Sequence, residues 1–81
     1  MYSRSHIRIN TTKEATVFVS QLNSDSTADK YVIEDASGSQ RVNARSLLGV
    51  IYAMTEYCDE MYLVNMTNNG VYPSFIDNLR V

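Results

Sequence analysis

The spacing of hydrophobic positions changes several times along this chain, and each change marks a new element. Near the start, Ile7 and Ile9 alternate with the polar residues His6 and Arg8. This period of two predicts a strand over residues 2–9. His6 lies on the polar side of the alternation, so we expect its side chain to be exposed.

The next segment predicts a helix that begins with a capping box. Thr11 and Glu14 have the spacing at which a hydroxyl accepts from a first-turn amide and the carboxylate reaches back to the helix start. Apolar residues then recur at offsets of three and four, the spacing of one helix face. These residues are Ala15, Phe18, Val19 and Leu22. A polar loop over residues 23–29 follows.

The middle of the chain predicts a hairpin and a second helix. Strands over residues 30–35 and 40–43 flank a serine-rich turn, in which Gly38 can adopt the positive φ that such turns often require. Ser46 is a preferred N-cap type and precedes an apolar helix from Leu47 to about residue 54, with Tyr57 as the alternative end. This helix has more apolar residues than one narrow buried stripe accommodates, so we expect some to be exposed.

The last part of the chain predicts a strand over residues 61–66, a turn, and a third helix from near Val71. Pro73 is tolerated in the first turn of that helix, where its missing N–H costs little. The face of the helix consists of Tyr72, Phe75, Ile76 and Leu79. The order βαββαβα in 81 residues predicts a single α+β domain over residues 1–81. We expect an open-faced two-layer β-sandwich, with a four-stranded antiparallel sheet and three helices on one face.

Composition and charge narrow the possible functions. Hydrophobic residues make up 44% of the chain and the net charge is −2, which is typical of a globular domain. The seven Lys and Arg residues are scattered, so direct binding to nucleic acid is not predicted. The apolar runs are shorter than the roughly 20 residues of a membrane span. No signal segment is recognised and Cys58 is the single cysteine, so we expect a cytoplasmic protein that does not bind membranes.

No set of residues in the sequence predicts catalysis. A Ser–His–Asp set, a cluster of metal ligands and a phosphate-binding loop are not recognisable, so we expect no enzyme activity, metal or cofactor.

The segment from Val42 to Val50, VNARSLLGV, together with the element order, resembles the HPr family. These are the histidine-containing phosphocarrier proteins of the bacterial sugar phosphotransferase system. The family shows a basic residue, a serine, two apolar residues, a glycine and an apolar residue, which match Arg45 to Val50. Residues 15–19 resemble the first helix of the family and residues 70–79 resemble its last.

The chain departs from this family at the phosphorylated histidine. Alignment on Ala15 puts Thr11 in place of the histidine, Lys13 in place of an arginine and Glu14 in place of a proline. A threonine phosphate is a stable ester and a poor phosphoryl donor, and the hydroxyl does not titrate near neutral pH as imidazole does. The negative charge of Glu14 opposes the attraction of a helix N-terminus for phosphate. The sequence therefore argues against ordinary phosphoryl relay.

The resemblance implies a regulatory role for Ser46, which matches the serine phosphorylated by HPr kinase/phosphorylase. A phosphate there would interact favourably with the helix N-terminus, and Arg45 or Arg41 could pair with it. The implied partner-binding residues are Leu47, Leu48, Ile51, Arg45 and Lys13. The structural alternative is that Ser46 is only an N-cap and the leucines belong to the core.

The sequence thus predicts a non-catalytic HPr-like regulatory or interaction protein linked to the phosphotransferase system or to carbon catabolite control. Expected partners are proteins, such as HPr kinase/phosphorylase or a transcriptional regulator, and the chain itself is expected to be a monomer or weak dimer. One alternative is a phosphocarrier component with a non-standard acceptor at Thr11, Thr12 or His6. Another is a structural or oligomerisation domain without phosphoryl chemistry.

Overall fold

Four short strands and two α-helices form the part of the chain that the computed structural model describes, residues 3–25 and 27–81. Tyr2 of the predicted first strand and Ser26 of the predicted polar loop lie outside this part. None of the described helices has the length and apolar character needed to cross a membrane. The elements in chain order are β1 Ser5–Ile7, α1 Thr12–Asn23, β2 Tyr31–Glu34, β3 Arg41–Asn43, α2 Leu47–Glu56 and β4 Met61–Asn65.

The strands form one antiparallel sheet in the order β1-β4-β2-β3. The inner strands are β4 and β2. In β4, Leu63 lies opposite Ser5 of β1 on one side and opposite Ile33 of β2 on the other. Ile7, Ile33 and Leu63 belong to the same buried cluster as the inward-facing residues of α1 and α2. The two helices therefore share one face of the sheet, and the predicted α+β class with a four-stranded antiparallel sheet is confirmed.

The predicted third α-helix is wrong, because the chain forms a 3-10 helix of five residues, Ser74–Asn78. Pro73 has an extended ψ of 150° and disfavours helical backbone at the residue before it, which prevents a start near Val71. Beyond the 3-10 helix the chain pairs with the outer edge of β1: Val81 N–H donates to the His6 carbonyl at 3.0 Å. The predicted apolar face still packs on the core, and Ile76 is fully buried.

The predicted starts of α1 and α2 and the predicted hairpin turn are confirmed. Thr11 Oγ1 accepts from the Glu14 amide at 3.1 Å. The Glu14 carboxylate accepts from the Asn10 amide at 2.8 Å, so it reaches one residue further back than the usual capping box. Gly38 has a φ of +75°, the left-handed conformation expected of a glycine in this turn. Short-range polar spacing was sufficient to locate these features.

The sheet face opposite the helices has a charged cluster that the sequence does not predict. Glu34 lies at its centre, fully buried, with Oε1 3.3 Å from Arg4 Nε and Oε2 2.9 Å from an Arg41 terminal nitrogen. Arg4 also lies 4.1 Å from the Tyr62 ring centroid. His6 stacks on the same ring and its Nε2 is 2.6 Å from the Asp59 carbonyl oxygen. His6 thus lies on the sheet face away from the helices, as predicted, but it is half-buried and not fully exposed.

Candidate functional site

A tight turn between β3 and α2 positions Ser46 at the start of the second helix. The Asn43 carbonyl accepts from the Ser46 amide at 3.2 Å, and Asn43 Oδ1 accepts from the Arg45 amide at 2.9 Å. Ser46 Oγ accepts from the Gly49 amide at 3.3 Å. The predicted N-cap is thus confirmed, and the serine hydroxyl lies at the positive end of the helix dipole.

Gly49 permits the close approach of α2 to β3. A Cβ atom at this position would lie 2.8 Å from the Asn43 backbone oxygen, closer than van der Waals contact allows. The same carbonyl accepts from Ser46, so it is fixed by the turn and cannot readily move aside. The glycine of the Arg45–Val50 motif therefore has a packing role.

Substitution Gly49→Ala is expected to lower the free energy of unfolding by about 1–2 kcal/mol, because overpacking against a fixed carbonyl outweighs the gain in helix propensity. Urea denaturation followed by circular dichroism measures the change. The control Thr55→Ala, at an exposed position of the same helix, is expected to stay within about 0.5 kcal/mol of the parent. A Gly49→Ala protein as stable as the parent would contradict this packing role.

An apolar surface lies on the outer side of α2, and we refer to it as the α2 face: Leu47, Leu48, Ile51 and Tyr52. Leu48 is 81% exposed, Tyr52 is 49% exposed and Leu47 is 37% exposed, whereas Ile51 is half-buried. The core residues of the helix are Val50 and Ala53. The alternative that both leucines belong to the core is therefore wrong. Residues 46–55 contain no charged side chain, so the α2 face is both exposed and uncharged along this helix.

Arg45 points away from the Ser46 hydroxyl and into the loop that precedes β2. Its guanidinium donates to the backbone carbonyl oxygens of Leu22, Thr27 and Asp29. It also lies 5.3 Å from the ring centroid of Tyr31. Arg45 therefore connects the end of α1 to the start of β2, which is a structural role that its place in the motif does not reveal.

The loop that Arg45 holds is also fixed through Asp29. The Asp29 carboxylate accepts from Asn65 Nδ2 and from Asn68 Nδ2, each at 2.9 Å. These hydrogen bonds, together with the nearby charge of Arg45, lower the pKa of Asp29 below its usual value. The carboxylate is thus ionised near neutral pH. It acts as a fixed acceptor for Asn65 at the end of β4 and for Asn68 in the turn that follows.

The second arginine proposed to pair with a phosphate is also occupied. Arg41 extends from β3 to Glu34 on the opposite sheet face, at 2.9 Å. Pairing of Arg41 or Arg45 with a phosphate on Ser46 stays a prediction, and it would require either side chain to leave its present partners.

The other residues that the family resemblance implicates lie on α1. Thr11, which the resemblance aligns with the phosphorylated histidine of that family, is the N-cap of α1, and its hydroxyl accepts from the Glu14 amide. Lys13 is exposed in the first turn of this helix. Since α1 and α2 pack against each other, the N-cap of α1, Lys13 and the α2 face belong to one helical layer. His6 lies on the opposite face of the sheet, beside Tyr62, and is therefore separated from that layer.

Comparison of the chain with protein-family models, curated proteins and solved structures found no match. Within residues 3–25 and 27–81, no group of three His, Cys, Asp or Glu side chains has an arrangement that could hold a metal ion.

Proposed function

We propose that this chain is a non-catalytic HPr-like regulatory or interaction protein of the cytoplasm, linked to the phosphotransferase system or to carbon catabolite control. In this role the α2 face docks a protein partner, and Ser46 is the site at which phosphorylation modulates docking. The observation that carries the proposal is the exposure of Leu48, 81%, within two residues of an N-cap serine.

The chemistry of the α2 face favours a protein partner over a small ligand. The side chains are large and apolar, and Leu48 and Tyr52 project from the helix with about half or more of their surface exposed, so they fit a complementary apolar surface. A phosphate on Ser46 would introduce two negative charges beside Leu47 and Leu48 while gaining the favourable dipole of α2. Docking at this face would therefore respond to phosphorylation through a direct change of charge.

The N-terminus of α1 supports a role other than phosphoryl transfer. The Thr11 hydroxyl is engaged as a cap, and the Glu14 carboxylate lies in the same first turn, 2.8 Å from the Asn10 amide nitrogen. That carboxylate occupies a donor which an anion would otherwise use, and it adds negative charge. The imidazole of His6 is stacked on Tyr62 and contacts the Asp59 carbonyl, which does not favour it as an alternative acceptor.

Incubation with HPr kinase/phosphorylase and ATP is expected to add one phosphoryl group to the parent chain and none to Ser46→Ala, as read by mass spectrometry. Titration of the parent chain against the same kinase, or against a catabolite-control transcriptional regulator, measures docking directly. Leu48→Ser is expected to weaken this binding about tenfold, since an exposed apolar anchor contributes about 1–2 kcal/mol at an interface.

The matched control is Val71→Ser, which removes an exposed apolar side chain, 56% exposed, outside α2. Its affinity for the partner should remain within about twofold of the parent. Equal effects of Leu48→Ser and Val71→Ser would contradict docking through the α2 face. A parent chain that is not phosphorylated and binds neither protein would contradict the proposed function as a whole.

A second assay separates this function from a phosphocarrier role. With enzyme I and labelled phosphoenolpyruvate, the proposal predicts no label on the chain. An acid-labile label that disappears in His6→Gln would instead establish carrier activity, because phosphohistidine is acid-labile and phosphothreonine is not.

A further inference from the structure

A groove of about 440 Å³ runs along the side of α1 on which Glu14 and Gln21 lie, between that helix and the C-terminal segment of residues 78–81. Its floor includes Phe18, which is buried, and Leu79, which is half-buried. This groove is not part of the α2 face, and no residue of α2 lines it.

Three of the seven Lys and Arg residues of the chain line this groove: Arg8, Lys13 and Arg80. All three are exposed. They come from three separate segments, which the sheet and α1 bring together. Arg80 has a loose, exposed ion pair, with Nε 3.5 Å from Asp77, and its guanidinium carbon lies 5.8 Å from the ring centroid of Tyr72. Its exposed N–H donors can therefore take a further anionic partner.

The lining also contains one carboxylate, that of Glu14, whose negative charge offsets one of the three positive charges. The Glu14 carboxylate is used as an acceptor by the Asn10 amide at the start of α1. The remaining polar lining includes Gln21 and Asn78, which can donate or accept hydrogen bonds. The lining thus has three cationic side chains and one carboxylate, and Asp77 lies beside Arg80. A net positive charge remains, so the partner of the groove is expected to carry carboxylates.

The shape of the groove favours an extended chain over an enclosed small molecule. Most lining residues are exposed, including Val17 at 49%, so the groove is open along one side. Small-molecule sites instead bury most of the ligand surface. The stretch of α1 from Glu14 to Gln21 is about 10 Å long at 1.5 Å per residue. That length accommodates about three residues of an extended peptide.

We propose that this groove binds an acidic peptide segment of a partner protein, with one apolar side chain on Phe18 and Leu79 and carboxylates paired with Arg8 and Arg80. The proposal is independent of the proposed function, because it uses neither Ser46 nor the α2 face. The partner is specified by its chemistry: an extended segment in which acidic and apolar residues alternate.

Fluorescence anisotropy with a labelled peptide of alternating glutamate and leucine tests the proposal. The double variant Arg8→Gln/Arg80→Gln is expected to bind the peptide about tenfold more weakly, because two charge-assisted contacts are lost. The control Lys30→Gln removes one positive charge from an exposed residue outside the groove. Its affinity should stay within about twofold of the parent. A peptide with glutamine in place of glutamate should bind at least tenfold more weakly than the acidic peptide.

Chemical-shift mapping on the parent chain provides a test that needs no variant. Addition of the acidic peptide should shift the amide signals of Val17, Gln21 and Leu79, and leave those of Leu48 and Tyr52 in place. Shifts confined to the α2 face, or equal binding by the double variant and Lys30→Gln, would overturn the proposal. Tighter binding of octanoate than of the peptide, at the same amides, would also overturn it, since the groove would then be a site for small amphipathic anions.

The Leu48→Ser variant distinguishes this site from the α2 face. It should bind the acidic peptide as the parent does, whatever the outcome of the kinase and regulator experiments. A loss of peptide binding in Leu48→Ser would place the peptide on α2 and overturn the groove assignment.

Discussion

Substitution Glu34→Gln is expected to destabilise the protein by about 3 kcal/mol, the lower end of the range for breaking a buried ion pair. The carboxylate is fully buried and pairs with Arg4 on one side and Arg41 on the other. Glutamine preserves the size of the side chain but removes the charge that both guanidiniums face. The effect falls at the lower end because the arginine side chains are partly exposed, at 28% and 45%, and can be rehydrated.

Urea denaturation at neutral pH measures the loss, and the chain contains its own control. Asp77 and Arg80 form an ion pair whose side chains are 70% and 48% exposed. Substitution Asp77→Asn is therefore expected to change the free energy of unfolding by less than about 0.5 kcal/mol. Similar changes in Glu34→Gln and Asp77→Asn would mean that burial of Glu34 contributes nothing to the strength of its pairs.

Substitution Arg45→Ala is expected to lower the free energy of unfolding by about 2 kcal/mol, since the guanidinium forms charge-assisted hydrogen bonds to three carbonyls. Those carbonyls belong to Leu22, Thr27 and Asp29, so the variant should loosen the connection between α1 and β2. The exchange of amide hydrogens with solvent should become faster around the three acceptor residues, Leu22, Thr27 and Asp29. Exchange in β4 at Leu63 should change only through the global loss of stability.

The control for Arg45 is substitution by lysine. Lysine retains the charge but has a single ammonium group, which cannot reproduce the planar set of donors that reaches three carbonyls. We expect Arg45→Lys to recover less than half of the stability lost in Arg45→Ala. Full recovery would show that charge alone matters at this position, and an alanine variant as stable as the parent would contradict the structural role of Arg45.

The sequence predicted those parts of the fold that depend on neighbouring residues. The capping residues Thr11 and Ser46 and the turn glycine Gly38 act within a few positions of themselves, so spacing alone located them. The prediction of a third helix from near Val71 was not confirmed, because two effects at this end of the fold act together. Pro73 prevents an early helical start, and pairing of residues 80 and 81 with β1 leaves no room for a longer helix.

The candidate site was predicted only in part, for a related reason. The α2 face could be anticipated, because a short helix with too many apolar residues must expose some of them. The direction of Arg45 could not be anticipated, since its acceptors lie at the end of α1 and in the loop that follows, 16 to 23 residues earlier. Burial of Glu34 likewise depends on Arg4, which precedes β1, and on Arg41 in β3. The cationic groove joins residues 8–21 to residues 78–81, and only the tertiary structure brings these together.

The position of β1 in the sheet has a consequence for how the chain folds. Its residues pair with β4, more than fifty positions later, and its other edge pairs with the segment around Arg80. The hairpin of β2 and β3 can form early because its partners are close in sequence. During synthesis, β1 therefore leaves the ribosome before β4 and the segment around Arg80, and it cannot pair until both have been made. Until then Ile7 and Ile9 are unprotected, which makes the nascent β1 segment an expected target for chaperones.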